Sequence, residues 1–318
     1  MRKFDVTALG ELLVDFTENG ISENGNPLLE ANPGGAPCNV LAMLSRLGKK
    51  TAFIGKVGAD SFGRMLKETA KSVGINTDNV SEDGTIPTTL AFVHTLSDGD
   101  REFSFYRNPG ADMALCEADV NENVIADSGI FHFGTLSMTD PSCRNATKKA
   151  VEAAKKYGAV ISFDPNLRFP LWNDMDLLRE CVFYGLSVCD VLKISDNEIE
   201  WLTGSTDYIS AVKKLKAEYK IPLVFATLGK DGSMAFSDDG FAQQGGFSVN
   251  TIETTGAGDT FFGCILKYIS DSGLKIFSSA ELSEMLGFAN AAAALITTRK
   301  GALKVMPTAD EIKKLIIL

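Results

Sequence analysis

Histidine is scarce in this chain, with two among 318 residues, and the six cysteines (Cys38, Cys116, Cys143, Cys181, Cys189, Cys264) contain no CxxC pair. Zinc-ligand spacing is therefore missing. Unpaired thiols suit a reducing cytoplasm, and each cysteine reads as a small buried hydrophobe. His94 and His132 fall in strand-like runs and read as structural. Basic residues are in deficit: 31 Lys and Arg against 41 Asp and Glu give a formal net charge of −10. An acidic chain is a poor partner for nucleic acid or an anionic membrane, although a local basic pocket for phosphate stays open. No apolar run is long enough to span a bilayer. The longest candidate, FANAAAALITT (288–298), is alanine-rich and reads as a buried helix. The N-terminus MRKFDVTALGE is interrupted by Asp5 and Glu11 and reads as a first strand rather than a signal peptide.

Several phosphate and catalytic signatures are also missing. There is no G-x-x-x-x-G-K-[ST], no G-x-G-x-x-G after the first strand, no H-R-D or D-F-G, and no serine nucleophile elbow. A P-loop, a Rossmann dinucleotide site and a protein-kinase site are excluded on that ground.

What is present is a 45% hydrophobic chain in which strand-like and helical runs alternate. FDVTAL, TAFIGKV, GIFHFG, AVISFD, VLKIS and PLVFATL read as strands. Helical spacing occurs near 38–47, 60–73, 142–157, 207–219, 259–271, 280–298 and 308–317. The alternation predicts an α/β fold with a mostly parallel sheet covered by helices, in one domain over 1–318. Two segments break the rhythm: 11–32, whose apolar runs flank a Gly/Asn-rich turn, and 88–107, where SDGD separates two strand-like runs. Together they predict a small antiparallel sheet standing off the core. It reads as a lid over a site that must exclude water, or as a dimer face.

Open α/β sheets bind ligands at the carboxyl ends of their strands. Polar residues gather at those predicted ends: Asp15 after LLV, PGGAPCN (33–39) with Asn39 in a helix start, DPNLR (164–168), SDNE (195–198), TLGKDG (227–232) and ETTGAGDTFFG (253–263). Each has a plainer reading. DPN is a turn sequence. SDNE matches a capping box with Ser195 as N-cap and Glu198 three residues on. GKDG is a good hairpin turn. Gly256-Ala257-Gly258 reads as a strand-to-helix turn after FSVNTI, with Asp259 in the first helical turn. Such a turn suits an anion, or is simply capped by Thr255 or Asp259. Taken together, carboxylates, an arginine and glycine turns at one sheet edge suit a polyol and a polyphosphate.

GGAPCNVLAMLSRLG with ETTGAGDTFFG closely resembles the two signature regions of the ribokinase-like (PfkB) carbohydrate kinases. GKVGADSFG, RNPGADMAL, DPNLR, ISDNEIEWLTG, ATLGKDGS and TTRKGALKVMPT follow in the family's order, and the series is most similar to fructokinases. The resemblance implies a three-layer α/β/α core with a β lid, and ATP-dependent phosphorylation of a sugar hydroxyl. Fructose is the first expectation; 2-keto-3-deoxygluconate, ribose and a riboside are alternatives, and a non-catalytic sugar- or nucleotide-binding regulator is the reading from another class. By the same resemblance Asp259 is the general base and Gly256, Ala257 and Gly258 form the anion hole. Asp15, Gly34, Gly35 and Asn39 hold sugar hydroxyls, and Arg107 and Arg168 reach the sugar or the phosphoryl group. Thr227, Gly229 and Asn290 lie on the nucleotide side, and Glu198 organises Mg2+ through water. A monovalent-cation site for K+ falls near Glu253, Thr255, Ile296, Arg299 and Gly301. A homodimer through the lid is a further expectation. Three positions depart from the family pattern: Ser195 replaces an asparagine, Glu253 an aspartate, and Ala36 the lysine of ribokinases.

Overall fold

The structure, a computed structural model, describes residues 2–95 and 101–317. The chain opens with β1 (Phe4–Leu9), then β2 (Leu13–Ile21), β3 (Pro27–Gly34), α1 (Ala36–Arg46), β4 (Thr51–Gly58), α2 (Ser61–Ser72) and β5 (Ile75–Asp83). There follow β6 (Leu90–Thr95), β7 (Arg101–Tyr106), α3 (Glu122–Ala126), β8 (Ser128–Gly134), α4 (Pro141–Tyr157), β9 (Val160–Asp164), α5 (Met175–Val188) and β10 (Val191–Ser195). The last third comprises α6 (Asp196–Thr203), α7 (Tyr208–Tyr219), β11 (Leu223–Thr227), β12 (Ser233–Phe236), β13 (Phe241–Gln244), α8 (Ala257–Ser272), α9 (Ser279–Ile296) and α10 (Ala309–Ile317).

Nine strands form one sheet in the order β13-β12-β11-β10-β9-β8-β1-β4-β5. Neighbours from β11 to β5 pair in parallel, while β12 and β13 turn back antiparallel at one edge. The central strands are buried on both faces, which is why they read as continuous apolar runs. One face packs on α1, α8 and α9 through Leu41, Phe261, Ile265 and Ala289. The other packs on α4, α5 and α7 through Ala150, Leu178 and Val212. These are the three expected layers. The chain leaves β1 toward β4 and β5 but leaves β8 toward β9 and β10, on the opposite side. The β1/β8 boundary is thus the topological switch point, where a crevice opens at the carboxyl ends of the strands.

The lid is a second sheet, β3-β2-β6-β7, built from the two predicted excursions. Each hairpin is antiparallel, and the two meet through a parallel pairing of β2 with β6, from Val14↔Leu90 to Thr17↔Val93. The predicted SDGD turn and the His94 side chain lie outside the described residues.

Three local expectations change. FSVNTI (247–252) is not a strand. Its half-buried residues alternate, yet among the described residues no strand pairs with it, and the Ile252 and Glu253 amides go to the Thr297 carbonyl instead. Asp15 sits on lid strand β2, because β1 already ends at Leu9. Helices α3 and α5 and strands β5, β12 and β13 are additions to the sequence reading.

Candidate active site

A cleft of about 520 Å³ opens between the lid and the carboxyl edge of the main sheet. Its lid side includes Leu13, Asp15, Val93 and Phe105; its floor includes Lys193, Ser195, Thr227 and the 254–259 turn.

The turn opens α8. Gly256 is the N-cap with φ 76°, a left-handed conformation that glycine adopts at little cost, and no side chain caps the helix. The plainer reading, a cap by Thr255 or Asp259, therefore fails. An uncapped N-terminus leaves first-turn N–H groups and the positive end of the helix dipole for an anion. The Ala257 N–H is drawn into a long 3.3 Å bond to the Thr254 carbonyl. Asp259, in the same turn, is buried, and burial raises its carboxyl pKa, against the lowering influence of Asn39, Lys193 and Arg168.

Asn39 lies one turn into α1. Its Nδ2 donates to Asp259 Oδ2 at 2.8 Å, which fixes the amide orientation. Its Oδ1 is buried with no hydrogen-bond partner. A buried acceptor without a donor is costly, and a ligand hydroxyl would satisfy it. The Gly34-Gly35 entrance to α1 is a close approach. A Cβ on Gly35, at φ 126°, would lie 2.3 Å from the Glu11 carbonyl, and one on Gly34 would meet Asp15 Oδ2 at 2.6 Å. Gly35 lines the cleft; Gly34 instead makes room for Asp15. Burial raises Asp15 to a pKa of about 7, while Arg168 pulls it down.

The DPNLR loop is more than a turn. Asn166 and Arg168 both have φ 45°, a strained value for an arginine. Leu167 between them is held at both ends: its N–H donates to Glu198 Oε1 (3.2 Å) and its carbonyl accepts from Trp172 Nε1 (2.9 Å). The loop so held presents Arg168 to the cleft. Glu198 also completes the predicted capping box, accepting the Ser195 N–H at 2.8 Å. Both readings of SDNE hold at once: a helix cap and a cleft carboxylate.

Thr227 and Gly229 line the far end of the cleft, where β11 turns to β12. Asn290 also lines it, but its polar atoms are occupied. Ser233 donates to its Oδ1, and its Nδ2 donates to the Gln244 and Gly245 carbonyls. It braces the wall. Glu253 is buried; its Oε1 accepts from the Thr255 hydroxyl (2.6 Å) and its Oε2 from the Gly301 N–H (3.1 Å), tying 253–255 to the loop after α9. Ile296 is buried and its carbonyl accepts from the Arg299 N–H; the Arg299 guanidinium turns to the Val305 carbonyl and Glu311. Arg107 is a correction. It is not among the cleft residues: its Nε donates to Asp112 Oδ2 at 2.8 Å and its Nη2 to the Leu136 carbonyl at 2.9 Å, in a buried ion pair.

The sequence reading missed Glu11 and Lys193. Burial raises Glu11 to about 7, and its Oε1 accepts the Ala36 N–H at the start of α1. Lys193, a charge inside an otherwise apolar strand, was the available signal for the second. His132 is buried, hydrogen-bonded to Ser162, and held to about 3 by desolvation, in keeping with a structural role.

A three-layer α/β core with a β lid, a buried helix-start aspartate and an open anion cradle beside it defines a phosphotransferase of the carbohydrate-kinase kind. The chain belongs to the pfkB family carbohydrate kinases, whose profile matches residues 3–309. It is 42% identical over 310 residues to fructokinase-2 of Solanum habrochaites, covering 96% of this chain and 94% of that one. Its fold is similar to a fructokinase from Xylella fastidiosa with bound ATP (TM-score 0.89, 30% identity, 98% of each chain). It is also similar to a double-mutant fructokinase from Vibrio cholerae in a fructose-, ADP- and potassium-bound form (TM-score 0.85, 28% identity, 99% of each chain).

Proposed function

We propose that this protein transfers the γ-phosphoryl group of ATP to fructose, giving fructose 6-phosphate. The pairing of Asp259 with the uncapped start of α8 carries this reading. Asn39 occupies Asp259 Oδ2, so Oδ1 is left to accept the proton of an attacking hydroxyl. The adjacent N–H groups stabilise charge on the phosphoryl oxygens during in-line transfer. The unpartnered Asn39 Oδ1, Asp15 and Gly35 line the sugar side, with Arg168 at the rim between sugar and phosphate. Thr227, Gly229 and the wall braced by Asn290 take the nucleotide.

Among the described residues no group of three or more carboxylates, histidines or cysteines is arranged to hold a metal directly, so a magnesium ion would sit chiefly on the nucleotide and water, with Glu198 as the nearby cleft carboxylate. Glu198, with both oxygens already accepting N–H groups, is suited to hold Mg2+ through water. When bound, the ion neutralises the polyphosphate. Potassium would take the corner where Glu253 accepts from the Thr255 hydroxyl and the Gly301 N–H, beside the loop after α9. Arg299 contributes there only through its backbone, since its side chain is engaged elsewhere. The lid's exposed Ile21, Leu28, Leu29 and Tyr106 suit pairing with a second copy. Six free thiols, five of them buried, are in keeping with a cytoplasmic setting.

The test is ADP release with MgATP and a panel of fructose, ribose, 2-keto-3-deoxygluconate, tagatose, glucose and a nucleoside, with and without potassium. Preferred turnover of fructose is the expected result. Preference for another sugar overturns the substrate and keeps the chemistry; nucleotide binding without turnover overturns the reading.

A further inference from the structure

Resting on that reading, we propose that Lys193 is a further catalytic residue, its ammonium contacting the transferred phosphoryl group beside the Gly256–Asp259 turn. Lys193 is the one charged residue of β10; Val191, Leu192 and Ile194 around it are fully buried. A lysine in a central strand is expensive to bury. Its partner is Asp164, at the end of neighbouring β9, with Nζ 3.2 Å from Oδ1 and 3.1 Å from Oδ2. As a support for the fold alone, such a pair is a poor choice, because two apolar residues of similar volume stabilise as well or better.

The position of the ammonium explains its retention. A Cβ on Gly258 would lie 3.2 Å from Lys193 Nζ and 3.6 Å from Cε, so the ammonium lies against the turn itself. Lys193 lines the same cleft as Gly258, Asp259 and Thr227. An ammonium has three N–H donors, and Asp164 takes two, leaving one for a ligand. Neighbouring Asp164, Glu198 and Asp259 outweigh desolvation and keep the group protonated. Main-chain N–H groups supply only partial charges; a full positive charge beside them strengthens the cradle as negative charge spreads over the equatorial oxygens. The bond from γ-phosphorus to the ADP oxygen breaks as the bond to the sugar oxygen forms, and the hydroxyl proton goes to Asp259. Lys193 gives up no proton.

Replacing Lys193 alone would strand Asp164, so the decisive comparison is Asp164→Asn against Asp164→Asn/Lys193→Met. Thermal melting, ADP affinity, sugar KM, kcat and trapping of the sugar–ADP complex by aluminium fluoride are measured on both. The expected result is similar melting, ADP affinity and KM, with kcat lower by about 100-fold or more, the size of effect typical for loss of one oxyanion donor. Aluminium fluoride trapping is lost in parallel. Equal kcat and equal trapping overturn the proposal and make Lys193 a counter-ion for Asp164. If the double variant does not fold, Lys193→Arg decides: kcat lowered at least about tenfold with unchanged KM supports the contact, and unchanged kcat overturns it. A parent protein without turnover of any sugar overturns the kinase reading, and this inference with it.

Discussion

Asp259 gives one oxygen, Oδ2, to Asn39, and in the proposed reaction the other takes the hydroxyl proton. Asp259→Asn keeps the shape and removes the base, so kcat is expected to fall by about 1,000-fold or more while ADP affinity holds; ADP-release kinetics beside calorimetry check it. Burial raises the Asp259 pKa, and the base works only when ionised. kcat/KM should therefore fall as pH drops through a limb lying above the ordinary carboxylate value of about 4. Loss of that limb in Asp259→Asn residual activity would tie it to this group. Gly258→Ala pushes a methyl group against the Lys193 ammonium and should lower kcat more than it lowers stability, as a rate assay and a melt on the same sample would reveal. At this scale the sequence was informative where residue type and spacing state a local need: glycines at a close approach, an aspartate at a helix start. It was silent about Arg107, because an arginine reads the same whether it faces a ligand or a buried Asp112.

Helices with side-chain caps could be placed from sequence, and the SDNE box did so for α6. Helix α5 escaped although Asp174 caps it, accepting from Asp176 and Leu177. Its signal was diluted by apolar residues on more than one side. FSVNTI failed the other way: alternation records one-sided packing, and only a neighbouring strand makes it a ladder. The double use of Glu198 as cap and brace gives a prediction at this scale. Glu198→Ala releases both the Ser195 and Leu167 amides, and should cost about 1–2 kcal/mol of stability, as cap removal does, and loosen Arg168 with it. Chemical denaturation measures the first effect and a raised sugar KM the second. For the lid, closure predicts slower hydrogen exchange in 13–21 and 90–93 when sugar and nucleotide are added together; unchanged exchange would exclude closure.

Over the whole molecule, burial sets an unusual dependence on pH. Glu11 and Asp15 are held at about 7, well above the ordinary carboxylate value of about 4. Between those values the folded state binds more protons than the unfolded chain, so these groups make stability fall as pH rises from about 4 to about 7. Glu281 and Glu311, held at about 2 by hydrogen bonds and ion pairs, act in the opposite sense and lose their contribution only in acid below about 4.5. The ligand-free protein should melt highest near about pH 5, and Glu11→Gln, which keeps an acceptor for the Ala36 N–H, should flatten the decline toward neutrality. A melting series across pH for parent and variant checks the slope. The layered core and the lid were legible because each strand-and-helix unit carries its own period, whereas the edge strands β12 and β13, of four residues each, are too short to show one. The parallel seam between β2 and β6 has a consequence for how such a protein can be altered. The two lid hairpins are separate excursions, divided by α1, β4, α2 and β5, yet neither completes a sheet without the other. A new lid therefore cannot be spliced in as one cassette: any graft, deletion or lineage change in one excursion demands a matching edit some seventy residues away, which makes the paired segments a unit of inheritance although they are not a unit of sequence.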